Sequence, residues 1–352
     1  MTLRSFVLTA HQWMGLGGGL FLAVLGLTGT VLVFEGAIDR ALHPATSYVA
    51  ERGARLSLDS LVAVARANRP GTAIVGATLP QRPDRSLELA ASTGRSLFVN
   101  PYSGALLGER DRRGSLARTV HLVHTQLVVG GAAKVVVGLA SFMGMLLALS
   151  GIILWWPRRI VRVSPATASW RRRNFDLHNV SGLWSSTILL AITTTGVWIN
   201  QEGALNPWAQ RTFDRHSAVP LPKESRGGPG VVSVSLDSML RAAQAALPAA
   251  MPTNISIPTA PTAIVRVSLK YADDRTPAGR SRVFVDQGTG ALLRLDDAHA
   301  AEPGTRVTNL VRSLHTGDLL GRPTRALWFL ASLALVIQAI SGFLVWYRPK
   351  RD

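Results

Sequence analysis

Residues 8–34 read LTAHQWMGLGGGLFLAVLGLTGTVLVF, with one histidine near the start, Thr28-Gly29 near the end and no charged side chain. About 20 apolar residues rising about 1.5 Å each cross a hydrocarbon core of about 30 Å, so a membrane span is expected over 15–34. Three more stretches meet the same test, at 135–156, 182–199 and 326–347, and none carries a charge, which lipid would penalise. The first stretch follows a short basic start. It is too long for a signal peptide, and Phe34-Glu35-Gly36-Ala37 shows no small-residue cleavage pattern, so it reads as an uncleaved anchor.

Working outward, the first stretch has a counterpart. Leu8-Thr9-Ala10-His11 with Gly15-Leu16 is matched by Leu177-His178 with Gly182-Leu183, and Thr28-Gly29 follows His11 at the spacing by which Thr195-Gly196 follows His178. The remaining spans pair likewise: Val123-His124-Thr125 and Ser150-Gly151 answer Leu314-His315-Thr316 and Ser341-Gly342. The segments between spans repeat too. Leu56-Ser57-Leu58-Asp59-Ser60-Leu61 parallels Val234-Ser235-Leu236-Asp237-Ser238-Met239, where Ser57 and Ser235 can each cap a helix. Leu97-Phe98-Val99-Asn100, leading into Tyr102 to Leu107, parallels Val283-Phe284-Val285-Asp286, leading into Gly288 to Leu293, and each reads as a hairpin. The chain is therefore two copies of a helix, a small α+β segment and a second helix. Each copy holds two spans, so the copies share one orientation about an axis along the membrane normal.

A formal charge of +17 points towards nucleic acid, but its distribution points to a membrane instead. The link between the second and third spans carries Arg158, Arg159, Arg162, Arg171, Arg172 and Arg173 against Asp176, while Arg4, Arg348, Lys350 and Arg351 flank the ends. Short basic flanks mark the cytoplasmic side, which puts both termini and the link inside and the two long connections outside. The chain has no cysteine, which excludes disulfides, iron–sulfur clusters, c-type haem attachment and thiol catalysis.

With that topology, His11 and His178 enter the membrane at the cytoplasmic level, and His124 and His315 at the outer level. The symmetry axis sets each pair on opposite sides of one centre, the arrangement that clamps a haem iron between two imidazoles. Two b-type haems stacked across the bilayer are expected. A lone boundary imidazole more often anchors at the interface, but four at repeat positions favour ligation. A di-metal or proton-relay site lacks a carboxylate within the spans. His121, one turn before His124, is an alternative outer ligand, although the repeat places Arg312 at its equivalent position. Arg312 and Arg118 are candidates for propionate contacts. The Ser/Thr-Gly pairs permit close approach of a helix to a helix or to a ring. His124 to Trp156 is too long for one span, so breaks are expected at Gly130-Gly131 and Gly321-Arg322-Pro323. His43, His216 and His299 have no repeat partner and receive no role.

His11-Gln12-Trp13-Met14-Gly15, Leu122-Val123-His124-Thr125, Leu154-Trp155-Trp156-Pro157-Arg158, Leu177-His178-Asn179 and Leu314-His315-Thr316-Gly317 together resemble the PepSY-associated transmembrane family, or iron-regulated membrane proteins, which include inner-membrane ferric-siderophore reductases. The resemblance covers nearly the whole chain. It implies an α-helical membrane protein of the bacterial inner membrane: a four-helix transmembrane bundle with two small α+β, PepSY-like periplasmic domains in a two-fold internal repeat. The expected organisation is a transmembrane helix at 11–34, a first PepSY-like domain at 35–118, an outer histidine segment and second helix at 119–156, and a basic cytoplasmic loop at 157–177. A third helix at 178–199, a second PepSY-like domain at 200–311, an outer histidine segment and fourth helix at 312–347 and a cytoplasmic tail at 348–352 complete it. The resemblance implies two haem b groups, held by His11 with His178 and by His124 with His315, that pass electrons to a periplasmic ferric complex such as a ferric siderophore. The haems carry the redox chemistry, so no catalytic side chain is expected. The central link holds no Gly-rich nucleotide loop, which implies a separate donor: a cytoplasmic flavin reductase or the quinone pool. Membrane lipids are the other expected partner and nucleic acid is not. The alternatives are a haem-free PepSY anchor that binds an extracytoplasmic peptidase or other partner, and a transporter, which the uncharged, unbroken spans disfavour.

Overall fold

The computed structural model describes residues 2–127, 132–216, 220, 224–225, 233–274 and 276–347. The expected break at Gly130-Gly131 and the expected tail at 348–352 lie outside them. In chain order the elements are α1 (Leu3–Leu32), α2 (Glu35–Leu42), α3 (Pro44–Ser47), α4 (Leu58–Asn68), β1 (Ile74–Thr78), β2 (Leu87–Ala91), β3 (Arg95–Val99), β4 (Leu106–Asp111), α5 (Leu116–Gln126) and α6 (Ala133–Trp155). There follow α7 (Trp170–Asn200), α8 (Glu202–Phe213), α9 (Leu236–Ala246), β5 (Ala250–Ser256), β6 (Ile264–Tyr271), β7 (Ser281–Asp286), β8 (Leu292–Asp296), α10 (Pro303–Thr316) and α11 (Arg322–Trp346). They form two compact units, one helical (Met1–Glu35, Thr119–Ala209, Val307–Asp352) and one built on a sheet (Gly36–Arg118, Gln210–Arg306).

In the helical unit, α1, α6, α7 and α11 are each long and apolar enough to cross a membrane. Much of their apolar surface faces outward: Leu20 and Trp184 are each 73% exposed, and Leu27, Leu139, Ile153, Leu330 and Ile340 are exposed as well. In water that surface would be a liability; in lipid it is the expected solvent-facing side. Helix α1 packs on α6 and α11, and α7 packs on the same two. Small residues set these crossings. A Cβ at Gly26 would lie 2.8 Å from the Ser332 carbonyl oxygen on α11, and one at Gly144 on α6 would lie 2.8 Å from Thr193 Cγ2 on α7. Helices α1 and α7 start well before the apolar runs, so Arg4 and Arg171 to Arg173 sit on their first turns. Helix α10 stops at Thr316, and α11 begins after Gly321, a left-handed N-cap (φ 78°), with a proline in its first turn. That is the break expected at Gly321-Arg322-Pro323.

The sheet unit is one antiparallel sheet of eight strands in the order β4-β3-β2-β1-β5-β6-β7-β8. The two connecting segments thus share a sheet, joined where Gly76, Ala77 and Thr78 of β1 pair with Ser256, Ile255 and Asn254 of β5. A four-stranded half alone would leave β1 or β5 as an open edge, and their pairing satisfies both rows of backbone groups. The same sequence devices recur in each half. Ser57 Oγ accepts from Ser60 N–H and Ser235 Oγ from Ser238 N–H, both at 3.2 Å, capping α4 and α9. At the hairpins, Asn100 Oδ1 accepts from Tyr102 N–H at 2.9 Å and Asp286 Oδ1 from Gly288 N–H at 3.0 Å, with Gly104 and Gly290 supplying the positive φ that closes each turn. Leu61, Val62 and Ala65 of α4 and Met239 and Ala243 of α9 join Leu89, Leu97, Ile255, Val267 and Val283 in a single buried core. Each such large side chain contributes about 1.5–3 kcal/mol by leaving water.

Candidate functional site

The four histidines singled out by the repeat lie in the helical unit as two facing pairs. His11 on α1 and His178 on α7 have ring centres 6.4 Å apart. His124 on α5 and His315 on α10 have ring centres 6.2 Å apart. His121 is exposed and is not the imidazole that faces His315.

Each imidazole is held by a hydroxyl on a neighbouring helix. His11 Nδ1 lies 2.8 Å from Ser150 Oγ, and His178 Nδ1 lies 3.0 Å from Ser341 Oγ. His124 Nδ1 lies 2.9 Å from Thr28 Oγ1, and His315 Nδ1 lies 3.1 Å from Thr195 Oγ1. The direction of these bonds follows from proton counting. Every one of the hydroxyls donates its single proton to the carbonyl one turn earlier: Ser150 to Leu146 at 2.7 Å, Ser341 to Ile337 at 2.6 Å, Thr28 to Val24 at 2.7 Å and Thr195 to Ala191 at 2.6 Å. Each must therefore accept from Nδ1–H. The Ile192 carbonyl, which can only accept, sits 3.1 Å from His315 Nδ1 and demands the same tautomer. The network thus assigns the proton to Nδ1 in all four rings and leaves the Nε2 lone pair free, the form that binds a metal.

The residue after each hydroxyl is glycine, and it faces the same ring. A Cβ would lie 3.6 Å from His11 Cε1 at Gly151, 3.1 Å from His178 Cε1 at Gly342, 3.5 Å from His124 Cε1 at Gly29 and 3.5 Å from His315 Cε1 at Gly196. The Ser/Thr-Gly pairs thus combine an acceptor for the ring nitrogen with space for the ring edge. The glycine half was legible in the sequence. The hydroxyl half was missed, although the residue before each glycine carried the signal. Gln338 was missed as well: its Nε2 donates to His178 O at 2.9 Å and to Ser181 Oγ at 2.7 Å, bracing the turn that carries His178.

Both pairs fit iron already held in a porphyrin plane, which lacks two axial ligands. A nitrogen–metal bond of about 2.0 Å plus about 1.1 Å from nitrogen to ring centre, taken on both sides, gives about 6.3 Å between ring centres. A cavity of about 760 Å³ surrounds His11 and His178, within the size range of small-molecule sites.

Of the other candidates, Arg312 stands one turn before His315 on α10 and is 3.5 Å from Glu202, and Arg118 is exposed. His43 Nδ1 bonds the Asp39 carbonyl at 3.0 Å, His216 pairs with Glu302 at 2.6 Å, and His299 stacks on Tyr271 beside Asp273.

Compared with known families, residues 8–348 match the model of the PepSY-associated TM region. No curated protein matches the chain.

Proposed function

The chain belongs to the PepSY-associated TM family, and we propose that it is a di-haem b oxidoreductase of the bacterial inner membrane that delivers electrons to a periplasmic ferric complex, a ferric siderophore, so that its iron is released. The observation that carries this reading is the set of four imidazoles in two pairs, each with Nδ1 bonded to a helix hydroxyl; the bond network assigns the proton to Nδ1 and so leaves each Nε2 lone pair for a metal. An anchor for a partner-binding domain needs none of these bonds.

His11 and His178 would hold one haem, and His124 and His315 the other. When bound, haem supplies a reversible one-electron Fe(III)/Fe(II) couple. The protein's own contribution is ligation, orientation and shielding. Ser150, Ser341, Thr28 and Thr195 fix ring tautomer and rotation. Aliphatic side chains such as Leu8, Leu16 and Leu147 line the cavity and keep water from the ring faces. The basic link between α6 and α7 supports a cytoplasmic His11–His178 level with both termini cytoplasmic; electrons would enter there from a separate flavin reductase or the quinone pool. The connecting segments 35–118 and 200–311 are then the two repeat-related periplasmic parts. A ferric ion reduced there is bound less tightly by hard oxygen ligands and leaves its chelator.

The test is anaerobic mixing of dithionite-reduced, detergent-purified protein with ferric siderophores. Re-oxidation of a b-type spectrum with release of a ferrous ion trapped by a chelator is expected. A colourless protein, even after haem reconstitution, would overturn the reading and leave the sheet unit as a partner-binding module.

A further inference from the structure

Among the described residues, the cavity around His11 and His178 has one charged feature, and it lies at one end. Arg4, Arg158 and Arg171 line it, with no acidic residue among the described walls. Arg4 precedes His11 by two helical turns on α1, and Arg171 precedes His178 by two turns on α7. Seven residues return a helix to the same face about 10 Å further along its axis, so each arginine shares a helix face with the imidazole of its own helix, and both line the cavity. Arg158, just past α6, is held with its guanidinium 5.2 Å over the Phe175 ring. None of the three has a carboxylate partner among the described residues, whereas the neighbouring Arg172 pairs with Asp176 at 3.1 Å. Ordinary boundary arginines explain the positive charge of this region. They do not explain why, among the described residues, only these three of the cluster line the cavity, or why two of them occupy repeat-related positions.

We propose that Arg4, Arg158 and Arg171 form a carboxylate clamp that reads the two acid groups of a porphyrin and so sets its orientation, acid edge towards the start of α1 and α7. This rests on the di-haem reading for the identity of the ligand. A flat apolar body among aliphatic walls with two anionic arms at one edge is the chemistry that such a cavity takes. Guanidinium forks suit carboxylates, which they bind in pairs of charge-assisted hydrogen bonds.

The experiment uses full-length protein purified without haem, titrated with metal-free protoporphyrin IX and with its dimethyl ester. Binding is read from quenching of tryptophan fluorescence, Trp155 being in the cavity wall. The free acid binds more tightly than the ester by about tenfold or more. The combined Arg4→Gln, Arg158→Gln and Arg171→Gln variant loses that preference and keeps the ester affinity. Arg162→Gln with Arg173→Gln, which removes charge outside the cavity, retains it. Equal binding of acid and ester, no binding of either, or equal loss in the control variant would overturn the clamp. Because neither probe holds iron, axial ligation is judged separately from the hemin spectrum of the same preparations. A bis-imidazole hemin spectrum with no acid preference sinks the clamp alone. An acid preference in a protein whose hemin spectrum ignores His11→Ala and His178→Ala sinks the ligation alone.

Discussion

Asp59 and Asp237 each hold the start of the other's helix. The Asp59 carboxylate accepts from the backbone N–H groups of Leu236 and Asp237 at 2.9 and 3.0 Å, and the Asp237 carboxylate accepts from those of Leu58 and Asp59, both at 3.0 Å. Four N–H groups that a helix cannot satisfy itself are taken up reciprocally, with a negative charge at each positive helix end. The repeated Leu-Asp-Ser triplets, Leu58 to Ser60 and Leu236 to Ser238, thereby fasten the two halves of the sheet unit to one another.

Asp59→Ala is expected to destabilise the sheet unit by about 1 kcal/mol, and adding Asp237→Ala to cost less than two independent caps, because each loss already loosens the shared contact. Hydrogen exchange of the strand amides in the full-length protein measures this. Strictly additive losses would contradict the reciprocal arrangement.

The same contact has a pH signature. Burial would raise the Asp59 carboxyl, but hydrogen bonds to Asp237, Leu236 and Ser235 outweigh it and hold the group below its ordinary value. A depressed folded-state value contributes stability that is complete above the unfolded carboxylate pKa of about 4 and is lost as pH falls through the lower folded value. Strand protection is therefore expected to stay level near neutrality and to drop in this acid window, less steeply in Asp59→Asn. An equal drop in both proteins would remove Asp59 from the account.

Thr28→Val keeps the shape at His124 and removes the acceptor of its Nδ1 proton. The ring loses its tautomer control, so haem retention at that site should fall by about tenfold and the midpoint potential should rise, since hydrogen bonding at Nδ1 favours the ferric state. Redox titration with haem quantification reads both. An unchanged potential with full occupancy would show that the hydroxyl does not govern the ligand.

Glycines in the bundle separate by what they face. Gly26→Ala drives a Cβ against the α11 backbone, 2.8 Å from the Ser332 oxygen, and is expected to lower bundle stability by about 1–3 kcal/mol. Gly17→Ala, outside the cavity wall, meets only Met143 Cε at 4.0 Å and should be neutral or mildly stabilising through better helix propensity. Thermal unfolding in detergent compares the two. Similar melting of both variants would mean that α1 and α11 are not held at this crossing.

The membrane helices, the paired histidines and the two hairpins were legible because each leaves a local mark: an apolar run, a repeated His, an Asn or Asp followed four residues later by glycine. The shared sheet was not. Pairing of β1 with β5 is written in backbone groups, and nothing in Ile74 to Thr78 or Ala250 to Ser256 distinguishes an edge from a centre. The Ser/Thr hydroxyls at the histidines were hidden for another reason. Serine and threonine in such helices most often only back-bond one turn earlier, as Thr30 does to Gly26. Their second role as acceptors appears only when α1 meets α6 and α5, and α7 meets α11 and α10.

Whether these four imidazoles hold two haems is read by pyridine haemochrome quantification against protein, on the wild type and on His11→Ala and His124→Ala. Two b haems per chain, falling to one in each variant, is the predicted result. No haem in protein from haem-replete cells, or wild-type content in both variants, would contradict it.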